Sequence, residues 1–249
     1  MLNTYRILAE KMVYARLEDL AGTVNDFFKS TVAYGPFKGM KFSNQATWSR
    51  LDRGSMLLGI YEKEIQESLS QVPASHNTFI DIGAADGYYA VGVLVGKLFV
   101  KTHCFEMNEA SRNVIRINAE LNHVDDRIAI DGAAEKDFWK ILPAKTLETS
   151  VVLIDIEGAE FDLMDNDFLD AFKASIIIVE LHDAQKDGPA RVQELKTNAA
   201  RFFTLTELKT GARDMSQFRE LATLSDNDRW LLCSERRHKA GAWLRLDPK

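Results

Sequence analysis

Cysteine is scarce: the 249-residue chain has two, Cys104 and Cys233. Two cysteines build no disulfide framework. Each lies in an apolar strand candidate, so buried, reduced thiols and a cytoplasmic location are expected. No apolar run approaches the ~20 residues that span a bilayer, so no membrane partner is expected. The opening Met1-Leu2-Asn3-Thr4-Tyr5-Arg6 lacks the charged region and apolar core of a secretory leader. A basic excess is missing as well. The 31 Lys and Arg stand against 37 Asp and Glu, a formal charge of −6. Phosphate binding draws on clustered Lys and Arg, so this balance argues against a broad nucleic-acid surface. One basic stretch exists, Arg236-Arg237-His238-Lys239 with Arg245 beyond it. It reads as a solvated tail or as a local clamp for an anionic substrate. The chain shows no internal repeat and no low-complexity tract.

What is present is a soluble α/β composition, 46% hydrophobic and 27% charged. The length suits one domain with an extension. The most informative stretch is Phe79-Ile80-Asp81-Ile82-Gly83-Ala84-Ala85-Asp86-Gly87, followed by Tyr88-Tyr89-Ala90-Val91. It reads as a buried strand, a glycine turn and a helix start. Glycine lacks the Cβ that would hold a nucleoside away from the backbone. The spacing Gly83-x-x-x-Gly87 departs from G-x-G-x-x-G, and Asp86 would point a carboxylate near the place a pyrophosphate needs. A nicotinamide or flavin dinucleotide is therefore disfavoured, and a glycine turn that only packs helix on sheet is the bland alternative.

Further strands follow, several closing on acids. Thr102 to Glu106 ends in a carboxylate about 20 residues after the turn, where a ribose-binding acid belongs in a βαβ unit. Such an acid can accept hydrogen bonds from both ribose hydroxyls. Arg127 to Asp131 is followed by Gly132-Ala133-Ala134, so Asp131 could hold an adenine amino group. Val151 to Asp155 runs into Ile156-Glu157-Gly158-Ala159-Glu160, and Ile176 to Val179 into Glu180-Leu181-His182-Asp183. By period two, Glu180 and His182 share a face. Phe202 to Thr206 and Trp230 to Cys233 are two more strand candidates. Helical patterns at Asn108–Leu121, Glu160–Phe172 and Ala190–Phe202 fall between them, which predicts a doubly wound, mostly parallel sheet.

The residues Asp81 to Tyr89, Phe105-Glu106 and especially Ile154-Asp155-Ile156-Glu157-Gly158-Ala159-Glu160 resemble class I S-adenosylmethionine-dependent methyltransferases, more narrowly the FkbM-like group. The resemblance spans roughly Tyr61 to Glu235. It implies a Rossmann-like sheet of seven strands with the last antiparallel, and S-adenosyl-L-methionine as cofactor. It also implies methyl transfer to an oxygen of a small-molecule or sugar-like acceptor; with the charge balance given above, no nucleic-acid partner is expected. A non-catalytic adenosyl-binding module and a nicotinamide oxidoreductase are the alternatives. A homo-oligomer is left open.

Residues 61–249 then form the cofactor domain and residues 1–60 an extension. In that extension Val13, Leu17, Leu20, Val24, Phe27 and Phe28 keep helical spacing over Tyr5–Lys29. Tyr34 to Phe42 reads as a turn with a short strand pair, and Leu57 to Ile65 enters a helix. The cofactor residues expected are Asp81, Gly83, Ala84 and Gly87 on the methionyl and ribose side. Glu106 and Met107 belong to the ribose, Asp131 and Gly132 to the adenine, and Asp155 to the reacting end. His182, Asp155 and Glu157 are the catalytic candidates, with His182 as general base or simply bonded to a neighbouring loop. Glu157 is either a helix-end charge or a substrate contact; Glu160 reads as a cap. Tyr61 and Glu62 are candidates for the substrate wall or a plain connector. Asp155, Glu180, His182 and Asp183 could take a divalent cation, but no spacing demands one and no metal is expected.

Overall fold

A computed structural model describes residues 2–48, 50–183, 187–236 and 242–249. The strands are β1 (Thr78–Ile82), β2 (Lys101–Phe105), β3 (Ile128–Asp131), β4 (Ser150–Ile154), β5 (Ile176–Glu180), β6 (Phe203–Lys209) and β7 (Ala242–Pro248). The helices are α1 (Leu2–Phe28), α2 (Arg53–Leu57), α3 (Lys63–Ser70), α4 (Tyr88–Val95), α5 (Glu109–Leu121), α6 (Ala144–Glu148), α7 (Glu160–Leu163), α8 (Asn166–Ala171), α9 (Gly188–Ala199) and α10 (Asp226–Leu232).

The strands form one sheet ordered β3-β2-β1-β4-β5-β7-β6. The first five run parallel, and β7 is antiparallel to both β5 and β6. Strands β1, β4 and β5 are buried on both faces, as their apolar-rich, β-branched composition favours. One face packs Phe79, Leu153 and Ile178 against α4 and α5 residues; the other packs Ile80, Ile154 and Val179 against Phe138, Phe168 and Phe172. The strand order reverses between β1 and β4, and ligands of open α/β sheets bind beyond the strand ends at such a crevice.

Several elements differ from the sequence expectation. Trp230 to Cys233 is not a strand, since it ends α10. Ser225 caps that helix by accepting the Asp228 N–H, and Asp226 and Asp228 occupy its first turn. A four-residue apolar run carries no period of its own, so the cap decides. The true last strand, β7, follows it. The pattern over Glu160–Phe172 breaks into α7 and α8, with Asp165 capping the second by accepting the Phe168 N–H. Near Tyr34–Phe42 there is a single bridge, Thr31 to Lys41, rather than a strand pair.

Only the second half of α1 packs. Leu17, Leu20 and Val24 are buried, whereas Val13 and Phe27 are 47% and 60% exposed. Of the basic stretch, Arg237, His238 and Lys239 lie outside the described residues. Arg236 is ion-paired with buried Asp52. Arg245, on β7, donates to Asp247 at 2.8 Å and to the Ser68 carbonyl at 3.0 Å. These two arginines are structural cross-links, not part of a free tail.

Candidate functional site

The glycine turn is stitched between two strands. Gly83 N–H donates to Phe105 C=O at 2.9 Å, and Asp155 N–H donates to Ile82 C=O at 2.9 Å. A Cβ on Gly83, whose φ is +90°, would stand 1.8 Å from the Asp155 carbonyl oxygen. No side chain fits there, so the turn lies directly against the end of β4. Ala84 is buried, and Ala85 takes a left-handed φ of 45°. Gly87, at φ +82°, opens α4.

Glu106, just past β2, bridges this turn to α5. One carboxylate oxygen accepts the Ala85 N–H at 2.9 Å, the other the Asn108 N–H at 2.8 Å. Each oxygen retains a further lone-pair direction for a hydroxyl. Met107 beside it is 80% exposed. Asp131 ends β3 next to Glu106, its carbonyl accepting the Glu106 N–H at 3.2 Å, and Gly132 is open to solvent.

Asp81 is buried under the first turn of α4, where a backbone hydrogen bond from Ala90 reaches it. Its Oδ2 is buried and accepts no hydrogen bond from the described residues. Burial lifts its carboxyl to about 7, with the nearby Glu106 charge adding to the rise.

Asp86 is engaged by the amino-terminal segment. Its carboxylate accepts the N–H groups of Thr47 and Trp48 at 3.1 and 3.2 Å, and Thr47 Oγ1 lies 2.6 Å from Ser111 Oγ. The amino-terminal segment is thereby strapped across the glycine turn. A sequence separation of 39 residues hides such a contact from local pattern reading.

At the ends of β4 and β5 the structure gathers His182, Asp155, Glu157, Glu160 and Glu180. Glu160 is fully buried. Its Oε2 accepts the Gly158 N–H at 2.8 Å, and its Oε1 accepts the His182 N–H at 2.8 Å and faces Nδ1 at 3.2 Å. It is therefore more than a helix cap, which sequence reasoning missed. An acid in a first helical turn looks like a cap until its burial is known. The other ring nitrogen, Nε2, lies 3.7 Å from Asp155 Oδ1, 3.5 Å from Glu157 Oε2 and 3.7 Å from Glu180 Oε2.

The Glu160 hydrogen bond, reinforced by Glu180 and Asp155, raises His182 to about 9 against the opposing effect of burial. Burial opposes ionisation of Glu160 too, yet the His182 hydrogen bonds prevail and its carboxyl sits below the usual range. Asp155 is pushed well up by burial and by the neighbouring Glu180 and Glu62 carboxylates. Glu157 holds a left-handed φ of 53° and an exposed side chain.

The opposite wall comes from the amino-terminal side. Glu62 is buried, and Tyr89 Oη donates to its carboxylate at 2.9 Å. Tyr61 packs edge-on against Tyr88. Arg213 fixes this corner: it donates to Ile60 C=O at 3.0 Å, to Glu64 Oε2 at 2.9 Å and to Glu235 Oε1 at 2.8 Å. Glu235 in turn accepts the Glu62 N–H at 3.0 Å. The arrangement can seat an adenosyl group along the glycine turn and present carboxylates and an imidazole to whatever lies beside it.

No protein-family model matches the chain, and no curated protein matches it. Solved structures do. A protein of the NADB-Rossmann superfamily from Streptococcus agalactiae is 13% identical with a TM-score of 0.50, covering 76% of this chain and 68% of that one. The tRNA m1A22 methyltransferase TrmK of B. subtilis is 11% identical with a TM-score of 0.46, covering 74% and 64%. A Streptococcus pneumoniae protein proposed to be a tRNA (m1A22) methyltransferase, in complex with S-adenosyl-L-methionine, is 12% identical with a TM-score of 0.48, covering 76% and 73%.

These relatives correct one expectation. With tRNA methyltransferases among the similar structures, the partner reading of a small-molecule or sugar-like acceptor with nucleic acid excluded does not stand. A formal charge of −6 averages the whole surface and does not describe the mouth of one site. At these identities the likeness is one of fold: the chain has the seven-stranded, Rossmann-like architecture, parallel with an antiparallel end.

Proposed function

We propose that this chain is an S-adenosylmethionine-dependent methyltransferase. The observation that carries the reading is the Gly83 turn, pressed against the end of β4 where no Cβ fits, with the Glu106 carboxylate beside it at the end of β2. That cradle, together with the buried Asp81 Oδ2 that accepts no hydrogen bond from the described residues, suits a ligand bringing hydroxyl donors and positive charge. A dinucleotide suits it less, since a pyrophosphate would bring negative charge to Asp81 and Glu106. Asp81, Gly83, Ala84 and Gly87 would hold the methionyl and ribose side, Glu106 and Met107 the ribose, Asp131 and Gly132 the adenine. When bound, the cofactor supplies a methyl group on a sulfonium.

The chain's own task is then to orient the acceptor, exclude water and take a proton. Orientation alone can contribute roughly 7–11 kcal/mol in favourable cases. Asp155 and Glu157, beyond β4, face the reacting end, with His182 as proton acceptor. Because His182 is raised to about 9, it works as a base once that proton is given up or displaced. Tyr61 and Glu62 form the facing wall, and residues 1–60, strapped down through Asp86, act as a cap over residues 61–249. The stretch Ile154 to Glu160 supports the finer FkbM-like reading, with oxygen as the accepting atom.

The reading is tested by incubating the protein with methyl-labelled S-adenosylmethionine and total tRNA, then with extracts of other acceptor classes, while NADH competes for the site. Label transfer insensitive to NADH supports it. Displacement of the adenosyl ligand by NADH would favour an oxidoreductase, and binding without transfer a non-catalytic module.

A further inference from the structure

Two sets of ligand-type side chains meet beyond β4 and β5. They are Asp155, Glu157 and His182, and Glu62, Asp155 and Glu180; within each set the donor atoms lie within 4.8 Å of one another. Asp155 belongs to both. The distances from His182 Nε2 to Asp155, Glu157 and Glu180, 3.7, 3.5 and 3.7 Å, exceed those of an ordinary N–H···O hydrogen bond. They do match the edges of a coordination shell. Donors about 2.0–2.2 Å from one ion stand roughly 2.8–3.1 Å apart in an octahedral arrangement and roughly 3.3–3.6 Å apart in a tetrahedral one, the nearer match.

Two separate observations point the cluster at a ligand. Asp155 Oδ1, common to both sets, is a buried atom that accepts no hydrogen bond from the described residues, and the His182 ring that faces it stands 3.7 Å away. A buried carboxylate oxygen held that loosely is costly, and an ion at closer range would satisfy it. His182, for its part, is aimed. Fully buried Glu160 holds its Nδ1 and its backbone N–H, so Nε2 is fixed toward the three carboxylates. A carboxylate gripping one ring nitrogen while the other faces a donor set is the arrangement that orients metal-ligating histidines.

We propose that these side chains form a divalent-cation site, with Asp155, Glu180 and His182 Nε2 as the central ligands and Glu62 and Glu157 on either side. Mixed carboxylate and imidazole donors suit a first-row transition ion such as Mn(II) or Zn(II) better than Mg(II) or Ca(II), which take oxygen alone. Beside the Gly83 turn, such an ion would hold an acceptor oxygen and ease its loss of a proton, a task it would take over from His182, whose Nε2 is then bound to the ion. That role rests on the methyl-transfer reading; the binding of the ion does not.

The experiment titrates chelator-treated, full-length protein with Mn(II), following the free ion by electron paramagnetic resonance, and with Zn(II) by calorimetry. One ion per chain is expected to bind saturably. Affinity should fall at least about tenfold in Asp155→Asn and in His182→Ala, and by a similar factor in Glu160→Gln, since Glu160 orients the ring without belonging to the ligand set. The remote, exposed Glu109→Gln should leave it unchanged. Thermal melts establish that each variant is folded. Should Asp155→Asn fail to fold, Glu157→Gln at the exposed edge replaces it and should weaken binding several-fold. Absence of saturable binding to the folded chain, or binding indifferent to these substitutions, overturns the site. S-adenosylmethionine titrations on the same samples separate the two readings: adenosyl binding without Mn(II) refutes only the ion site, and Mn(II) binding without adenosyl binding refutes only the transferase.

Discussion

The Oε1 of Glu160 accepts the backbone N–H of His182 at 2.8 Å and stands 3.2 Å from Nδ1 of the same residue. One buried carboxylate therefore sets the position, the ring orientation and the charge of His182. Removing its charge in Glu160→Gln should drop the His182 pKa from about 9 toward the ordinary value, measured by NMR titration of chelator-treated protein. A raised folded-state pKa stabilises the fold below the unfolded value near 6.5 and loses that contribution as pH climbs toward 9. Wild-type stability should thus decline between about pH 6.5 and 9 relative to Glu160→Gln, while the variant is the weaker of the two at pH 6. An unshifted His182 titration in the variant would contradict this assignment.

Asp81 has the same sign for a different cause. Burial raises its carboxyl from 3.8 to about 7, so the folded state binds the proton more tightly than the unfolded one. Its contribution is full below about pH 4 and is lost as pH rises to about 7, on the order of 4 kcal/mol at roughly 1.4 kcal/mol per unit. Asp81→Asn should therefore gain stability over wild type across that window, reaching a plateau above it. Urea melts at intervals from pH 4 to 8 measure the difference. A constant gap would show that Asp81 does not titrate there.

Gly83 and Gly132 make a matched pair. Gly83→Ala places a methyl group 1.8 Å from a backbone oxygen at a φ of +90°, whereas a Cβ on Gly132 meets nothing within 4 Å. The first substitution should cost more than about 3 kcal/mol, or force the β1 and β4 ends apart; the second should stay within about 0.5 kcal/mol. Denaturant midpoints of the two variants decide it.

Asp86 ties the amino-terminal segment down through Thr47 and Trp48. Asp86→Ala should speed amide exchange at both residues by at least about tenfold, with a global stability loss of roughly 1–3 kcal/mol. Unchanged exchange would mean that the strap is held elsewhere.

Much of the sheet was legible because apolar-rich runs such as Phe79–Ile82, which carries Asp81 near its end, and Ile176–Val179, which closes on Glu180, are buried on both faces. The same logic brought Asp81, Glu106, Asp131, Asp155, Glu180 and His182 to one edge. What escaped was either short or non-local. Trp230–Cys233 has too few residues to show a period. The bridge from Arg213 to Glu64 spans 149 positions, and the Asp86 strap spans 39. The role of Glu160 depends on a burial that a charged residue does not advertise.

Calorimetric titration of the full-length protein with S-adenosylhomocysteine, in wild type and in Glu106→Gln, tests the central claim most directly. The amide keeps the side chain's shape but has one acceptor oxygen in place of two. Saturable binding at one site per chain is expected, weakened at least about tenfold in the variant while the melt shows it folded. No binding to the folded wild type, or binding indifferent to Glu106, would contradict it.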